Sequence, residues 1–529
     1  MDKTSIMSVL HDRPDMQKKL FIRGFLMTND PTLQPDAYPF YGAWNRVTIG
    51  SYTFLIHPLQ AFYSHTHHDT TLFLVGHCLN PFDSLYQEDQ ILAKLMERIE
   101  QGEAAAIEYL NQLTGSFLIG AIKSGAVHFV SDAAGMLFSC YGMIRDVFFL
   151  SSHPQLIADL YPVSKNEYTR KFENYKHFYK YGFFFPGDHT QYDEVKRVLQ
   201  NHIMTFENGC VTHRRFYPQR VLKEVCSEEA YTELLSQITS ILHTTLELVT
   251  KKWSSPAISL TGGMDSKTTL ACANQLYDRF SYYSYVSMDG DRIDAEAAHT
   301  IAEHLGLKHN KLTISENDED FPDLAYTKAI LEYNQGGYHA NDNDIRKREF
   351  LSGYHAFDVE VKSWVSEIGR ANYYKKFGLK RMPRHLTPRH MTSMFKIFTT
   401  QRRLAKATDR VFDEFIKKTR FHDFPAGYDE SDMYLWEFRY SAWGGIVITQ
   451  QHSYSGDILI PFNNRILLDL MLSAPLSKRI SDEFHEDLIR FSNPRIDETG
   501  ITVTNWNETK KRMYLERAYF LLHSAFRFL

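Results

Sequence analysis

Cysteine is scarce in this chain: five residues in 529, Cys78, Cys140, Cys210, Cys226 and Cys272. The number is odd, and the spacing fits neither a disulfide framework nor a thiolate metal site, so a reducing compartment is expected. No Gly-x-x-x-x-Gly-Lys-Ser/Thr run occurs, which excludes a Walker-type phosphate loop. No apolar stretch approaches the ~20 residues needed to cross a bilayer. The first twenty residues are charged and have no signal-like apolar centre. Positive charge is not in excess: 59 Lys and Arg stand against 64 Asp and Glu, a net charge of −5. That balance argues against broad attraction to nucleic acid or anionic membrane. A soluble, cytoplasmic protein with neither kind of partner is expected. No short internal repeat is visible.

What is present is ordinary globular composition, 43% hydrophobic and 23% charged. The length suits about two to four domains. A polar segment at 218–229 separates two textures. Before it, short β-rich runs dominate, at 20–27, 52–56, 71–75, 116–122, 127–131 and 147–151, with one helix pattern at 90–112. After it, helices alternate with short apolar strands: helix 231–251, strand 257–260, helix 266–277, strand 282–286, helix 294–305, strand 308–314. That alternation predicts a parallel α/β sheet. Gly306 is read as the C-terminal cap of helix 294–305. From about residue 317 onward the pattern is mostly helical.

The densest chemical signal is Ser259-Leu-Thr-Gly-Gly-Met-Asp-Ser266. It reads as a buried strand, a small-residue turn and a helix start. Adjacent glycines allow close backbone approach to a ligand. The N–H groups that open the helix suit phosphate oxygens. Asp265 would repel phosphate unless a divalent cation lies between them, and Ser266 adds a hydroxyl. The stretch resembles the pyrophosphate loop of the ATP pyrophosphatases, Ser-Gly-Gly-x-Asp-Ser, with Thr261 in the first position.

Further along, Tyr285-Val-Ser-Met-Asp-Gly290, Asp294 to Gly306 and Ile458-Leu-Ile-Pro-Phe-Asn-Asn-Arg465 follow in the order of the asparagine synthetase family, which the region from about 231 to 475 resembles. More weakly, Leu72 to Asn80, Leu113 to Gly120, Phe129 to Gly135 and the stretch from Leu150 through 154–160 are similar to the class II glutamine amidotransferase domain that accompanies that synthetase. The resemblance implies a two-domain α/β protein. Residues 1–217 would form an α+β sandwich of the Ntn-hydrolase type. Residues 218–529 would form a parallel-sheet ATP pyrophosphatase domain (adenine nucleotide α-hydrolase-like) with a helical C-terminal part. It implies ATP and Mg2+ as cofactors. Leu260, Thr261, Gly262, Gly263, Asp265 and Ser266 would hold the nucleotide, Val286, Ser287 and Met288 the adenine, and Asp265 the metal.

Three departures from the family pattern set the functional expectation. The glutaminase needs an N-terminal thiol beside a free α-amine, whereas this chain starts Met1-Asp2-Lys3 and its first strand-like run has no Cys. Glutamine hydrolysis is not expected, as in β-lactam synthetases and lasso peptide cyclases. In Val365-Ser-Glu-Ile-Gly-Arg370, Glu367 matches the family's first Glu, but Arg370 and Ala371 replace its acidic pair. Either Arg370 contacts phosphates directly, or the metal site and catalysis are lost. The family's late lysine is missing from 491–504; Lys478 upstream or Lys510 downstream are the substitutes, and Glu367, Arg370 and Lys478 are the catalytic candidates.

The expected activity is an ATP-dependent, AMP-forming amide ligase taking a small-molecule carboxylate and an amine or ammonia. Intramolecular closure of a peptide or β-amino acid, and non-catalytic nucleotide binding, are the alternatives. A homodimer is left open. Elsewhere, His65-Thr-His-His-Asp69 reads as a solvated loop. The segment Gly336 to Asp344 reads as a loop with Asp342 or Asn343 capping the next helix, and also as a substrate contact. The helix from Tyr434 to Trp443 reads as aromatic core that could turn Glu437, Arg439 and Tyr440 to a cleft. Thr509-Lys-Lys-Arg512 reads as a solvated helix start.

Overall fold

The computed structural model describes residues 2–33, 43–175, 184–336, 341–395, 402–501, 503 and 509–526. Two six-stranded antiparallel sheets make up the first part. One runs, in spatial order, Val195–Arg197, Cys140–Ile144, Val147–Ser151, Phe25–Thr28, Tyr52–Ile56 and Asn45–Ile49; the other Cys210–Arg215, His202–Glu207, Ala126–Ser131, Thr114–Lys123, Thr70–Leu79 and Phe62–His67. Alternation along each strand decides the layers. Phe54 meets Phe73, and Phe148 stacks on Phe206 at 4.3 Å, so these faces form the sandwich interior. Their neighbours Leu26, Leu55 and Phe149 point the other way, into a second core with Ile6, Ile157, Ile330 and Tyr333. Each such buried side chain contributes about 1.5–3 kcal/mol. The result is a helix–sheet–sheet–helix sandwich, with Glu88–Gln101 and Glu103–Asn111 on the second sheet's outer face.

A five-stranded, wholly parallel sheet follows, in the order His309–Thr313, Ser281–Val286, Pro256–Ser259, Val359–Val361, Asp457–Leu459. Strand order reverses between Pro256–Ser259 and Val359–Val361. In open α/β sheets a ligand crevice forms at such a switch point, outside the carboxyl ends of the strands.

The expected α/β class is present, with antiparallel sheets first and a parallel sheet after. Several boundaries differ. The run at 20–27 is strand only from Phe25; Phe21 and Arg23 have positive φ and turn the chain beforehand. The helix at 90–112 is two helices, broken at Gly102 with φ +122°. The helix after residue 341 is capped by Asn341, whose side chain accepts from Asp344 N, not by Asp342 or Asn343. Residues 337–340 of that loop lie outside the described residues. His65–His67 belongs to an edge strand, with His68 in the turn, rather than to a loop. The mostly helical reading after 317 missed two strands, Val359–Val361 and Asp457–Leu459, each three residues long.

The Pro-Phe-Asn-Asn-Arg turn joins the two parts. Asn463 Nδ2 donates to Gly115 O and Asp132 Oδ1, and its Oδ1 accepts from Ala134 N. Asn464 reaches Gln112 O and Thr114 Oγ1. Arg465, 1% exposed, donates to Asn201 Oδ1 and the Ser131 carbonyl.

Candidate functional site

The glycine turn leaves the central strand of the parallel sheet. Leu260 N donates to Tyr283 O at 2.8 Å, and Leu260 O accepts from Ser284 Oγ at 2.6 Å, so the backbone stays tied to the neighbouring strand. Gly263 caps the helix Met264–Cys272. Ser266 Oγ donates to Thr261 O at 2.9 Å and accepts from Thr261 N at 3.2 Å, which closes the turn from within. A Cβ on Gly262 would stand 2.2 Å from a Val503 methyl and 2.8 Å from Ala297 Cβ, so no larger residue fits there.

Beside the turn lies a cavity of about 360 Å³, within the size range of small-molecule sites. Leu260, Thr261, Asp265 and Ser266 line it from the turn, and Ser284 and Tyr285 from the next strand. Lys362, Trp364 and Glu367 come from the segment after Val359–Val361, Asp291 and Asp294 from the helix Asp289–His304, and Tyr440 and Trp443 from the far wall. Gly262, Gly263, Val286, Ser287 and Met288 are not among the lining residues. Ser287 holds Asp291 through its hydroxyl at 2.7 Å, and Met288 is exposed.

Asp265 sits in a charged relay. Ser366 Oγ donates to its Oδ1, and Arg370 Nη1 to its Oδ2 at 2.8 Å. Arg370 Nε reaches Asp482 at 2.8 Å, and Lys375 Nζ reaches the same oxygen at 2.6 Å. Burial works against the charge on Asp482, but Arg370 and Lys375 overcome it and hold that carboxyl down at about 2. Burial also opposes the Arg370 charge, yet Asp265 and Asp482 keep the guanidinium firmly protonated. Glu367 is pushed up from the carboxyl range by burial and then by Asp265; Tyr440 OH donates to its Oε2 at 3.0 Å. Asp294 is raised by burial.

Sequence reasoning missed Lys362. It is 4% exposed, pairs with Glu360 at 2.5 Å, and is lowered by burial against the pull of that partner. Its signal was the Glu-x-Lys at the end of an unrecognised strand. The wall residues Trp364 and Trp443 stack at 5.2 Å and 12°. Tyr440 and Trp443 arise from Leu435–Gly444, a helix wound with the five-residue spacing of a π-helix, which turns successive aromatics to unusual sides. Of the three residues expected to face a cleft, Tyr440 lines the cavity. Glu437 instead pairs with Arg215 at 2.6 Å, and Arg439 lies over the Trp443 and Phe184 rings.

Lys478 lies outside the cavity. Its ammonium pairs with Glu483 and, at 2.9 Å, with Asp487, and stands over the Tyr231 ring. Lys510 begins the helix Lys510–Phe526 and does not line the cavity either. Asp265, Asp291 and Asp294 are hard oxygen donors in one cavity. Among the described residues, no three His, Cys, Asp or Glu groups there converge as a preformed cage. Magnesium uses one or two carboxylates and completes its shell with substrate phosphates and water. The donor set fits that pattern.

No protein-family model matches the chain, and no curated protein does. Among solved structures it is similar to the allosteric regulatory enzyme of purine biosynthesis, at 10% identity and a TM-score of 0.23, over 56% of this chain and 60% of that one. A second is the glutamine phosphoribosylpyrophosphate amidotransferase of B. subtilis complexed with ADP and GMP, at 10% and 0.23, over 68% and 73%. A third is the glutamine-dependent NAD+ synthetase of Acinetobacter baumannii in complex with ADP, at 10% and 0.21, over 62% and 84%. The chain thus spans less than two thirds of the first of these. Overlaps of this size do not establish a shared fold.

Proposed function

We propose that the chain is an ATP-dependent amide ligase of the asparagine synthetase type, forming an acyl-adenylate and lacking glutaminase activity. The observation that carries this reading is the Thr261–Ser266 turn, set at the switch point of a parallel sheet and opening onto a cavity with charged walls. In the first step a substrate carboxylate oxygen attacks the α-phosphorus of ATP, and the bond to the bridging oxygen breaks to release pyrophosphate. The amides that open the helix Met264–Cys272, with Lys362, stabilise the developing charge. A magnesium ion held by Asp265 would neutralise phosphate charge. In the second step an amine attacks the acyl carbon and AMP leaves. Glu367, raised by burial and by Asp265, takes the amine proton, and Tyr440 orients it.

The first sheet supports the part of the proposal that excludes glutaminase activity. The strand Phe25–Thr28 lies in its interior, with Phe25 opposite Ile56 and Leu26 opposite Ser151, and begins only after two short helices. No α-amine sits at its start. Cys78, Cys140 and Cys272 are buried, and burial raises each thiol.

The test is AMP and pyrophosphate release from ATP and magnesium with metabolite fractions and ammonia. Fraction-dependent AMP, abolished in Asp265→Ala, is expected. One observation favours a second reading, non-catalytic nucleotide binding: Arg370 and Ser366 already satisfy Asp265. ATP binding without AMP in any fraction would decide for it.

A further inference from the structure

Away from the cavity, three chain segments bring two imidazoles to one carboxylate. His385 lies in the connection between Asn372–Phe377 and Pro388–Met394, His422 in the turn after Arg402–Thr419, and Glu430 opens the helix Glu430–Tyr434. His385 Nδ1 is 2.8 Å and His422 Nδ1 2.9 Å from the same Glu430 oxygen, Oε1. The donor atoms of the three residues all lie within 4.8 Å of one another. The rings meet edge to face, 5.3 Å apart at 76°.

The geometry points to a site for one zinc-class divalent cation bound by His385, His422 and Glu430. Two nitrogens and one oxygen suit zinc, cobalt, nickel or copper, whereas magnesium and calcium favour oxygen alone. Tetrahedral zinc holds such ligands at about 2.0–2.2 Å, which sets the donor atoms roughly 3.4 Å apart. Each imidazole nitrogen needs to draw back from the Glu430 oxygen by only about half an ångström. Both are free to do so, with side chains 57% and 36% exposed against 5% for Glu430. The carboxylate stays fixed because its other oxygen accepts from Leu386 N at 2.6 Å, the kind of outer contact that aims a metal ligand. Water fills the fourth position. The bound ion staples two connecting segments to the start of the helix that continues into Leu435–Gly444, the wall of the nucleotide cavity.

The experiment uses the full chain stripped of metal with a chelator. Zn2+ is titrated in competition with a chromophoric chelator, and Co2+ is followed by its visible absorption. One equivalent per chain is expected, with a tetrahedral cobalt spectrum and a raised melting temperature. His385→Ala is the fold-safe variant, since that ring is exposed. It, His422→Ala and Glu430→Gln should each weaken binding by more than about tenfold and erase the cobalt signal. The paired variant His67→Ala with His68→Ala, at the exposed end of an edge strand and the turn after it, should change neither. Absence of saturable binding overturns the proposal. So does binding that survives His385→Ala and His422→Ala together, or that is lost with His67 and His68.

Discussion

The antiparallel sandwich and the parallel sheet treat buried charge in opposite ways. In the sandwich, Asp132 accepts from the amides of Phe117, Met136 and Leu137 and from Asn463 Nδ2. Its oxygens serve the framework alone. At the carboxyl edge of the parallel sheet, Asp294, Lys362 and Glu367 line a cavity as well, Lys362 while paired with Glu360 and Glu367 while accepting from Tyr440. The difference follows from strand direction. An antiparallel ladder returns on itself, and its turns scatter to both ends. Parallel strands all finish on one side, so their loops gather there with helix N-termini around a crevice. On the proposed function, the sandwich acts as a platform and the chemistry belongs to the edge.

The largest effect that would break this contrast is on the joint. Arg465→Ala leaves Asn201 Oδ1 and the Ser131 carbonyl without their buried donor, and should remove about 3–5 kcal/mol of stability by urea denaturation of the full chain. A loss below about 1 kcal/mol would mean the platform does not depend on this contact. Next is Lys362→Met. Removing one charge-assisted contact should weaken ATP binding about 10- to 100-fold by calorimetry, with an unfolding curve to show that Glu360 is tolerated alone. Unchanged affinity would take the cavity cation out of the site.

A pH profile sharpens the same comparison. Glu367 is raised by burial and by Asp265. Such a carboxyl favours the folded state when protonated, so its contribution is full below the unfolded value of about 4.3 and is lost as pH rises through the folded one. Glu367→Gln should therefore gain stability relative to the parent as pH rises from about 4, read from urea midpoints at several pH values. A constant difference would contradict the raised pKa. Smallest is Lys478→Ala, a surface pair worth about 1 kcal/mol or less, with ATP affinity unchanged. A loss equal to that of Lys362→Met would restore Lys478 as the functional cation.

Much of the parallel region was legible because its pattern is local. The helix Glu228–Lys252, the glycine turn, Ser281–Val286 and Asp289–His304 each announce themselves by period and capping. The strands Val359–Val361 and Asp457–Leu459 were not, since three residues carry no period and their place is fixed only by pairing with distant neighbours. The turn residues Thr261 and Asp265 were visible in the sequence for the same local reason. Lys362, Asp291 and Trp443 reach the cavity through tertiary packing, which no spacing in the chain encodes. Lys478 shows the converse: a lysine at a plausible distance in sequence is held by Glu483 and Asp487 on the helix that follows.

One element belongs to both neighbourhoods. Along Leu435–Gly444, Trp436 donates to Ala133 O, Glu437 pairs with Arg215 and accepts from Asn201, and Ser441 accepts from Arg197, all in the sandwich. From the same ten residues Tyr440 and Trp443 form the cavity wall. The helix is a party wall with two tenants. A substitution that suits one side must also suit the other, so the accessory sandwich cannot drift freely in sequence or be trimmed away without redrawing the room next door.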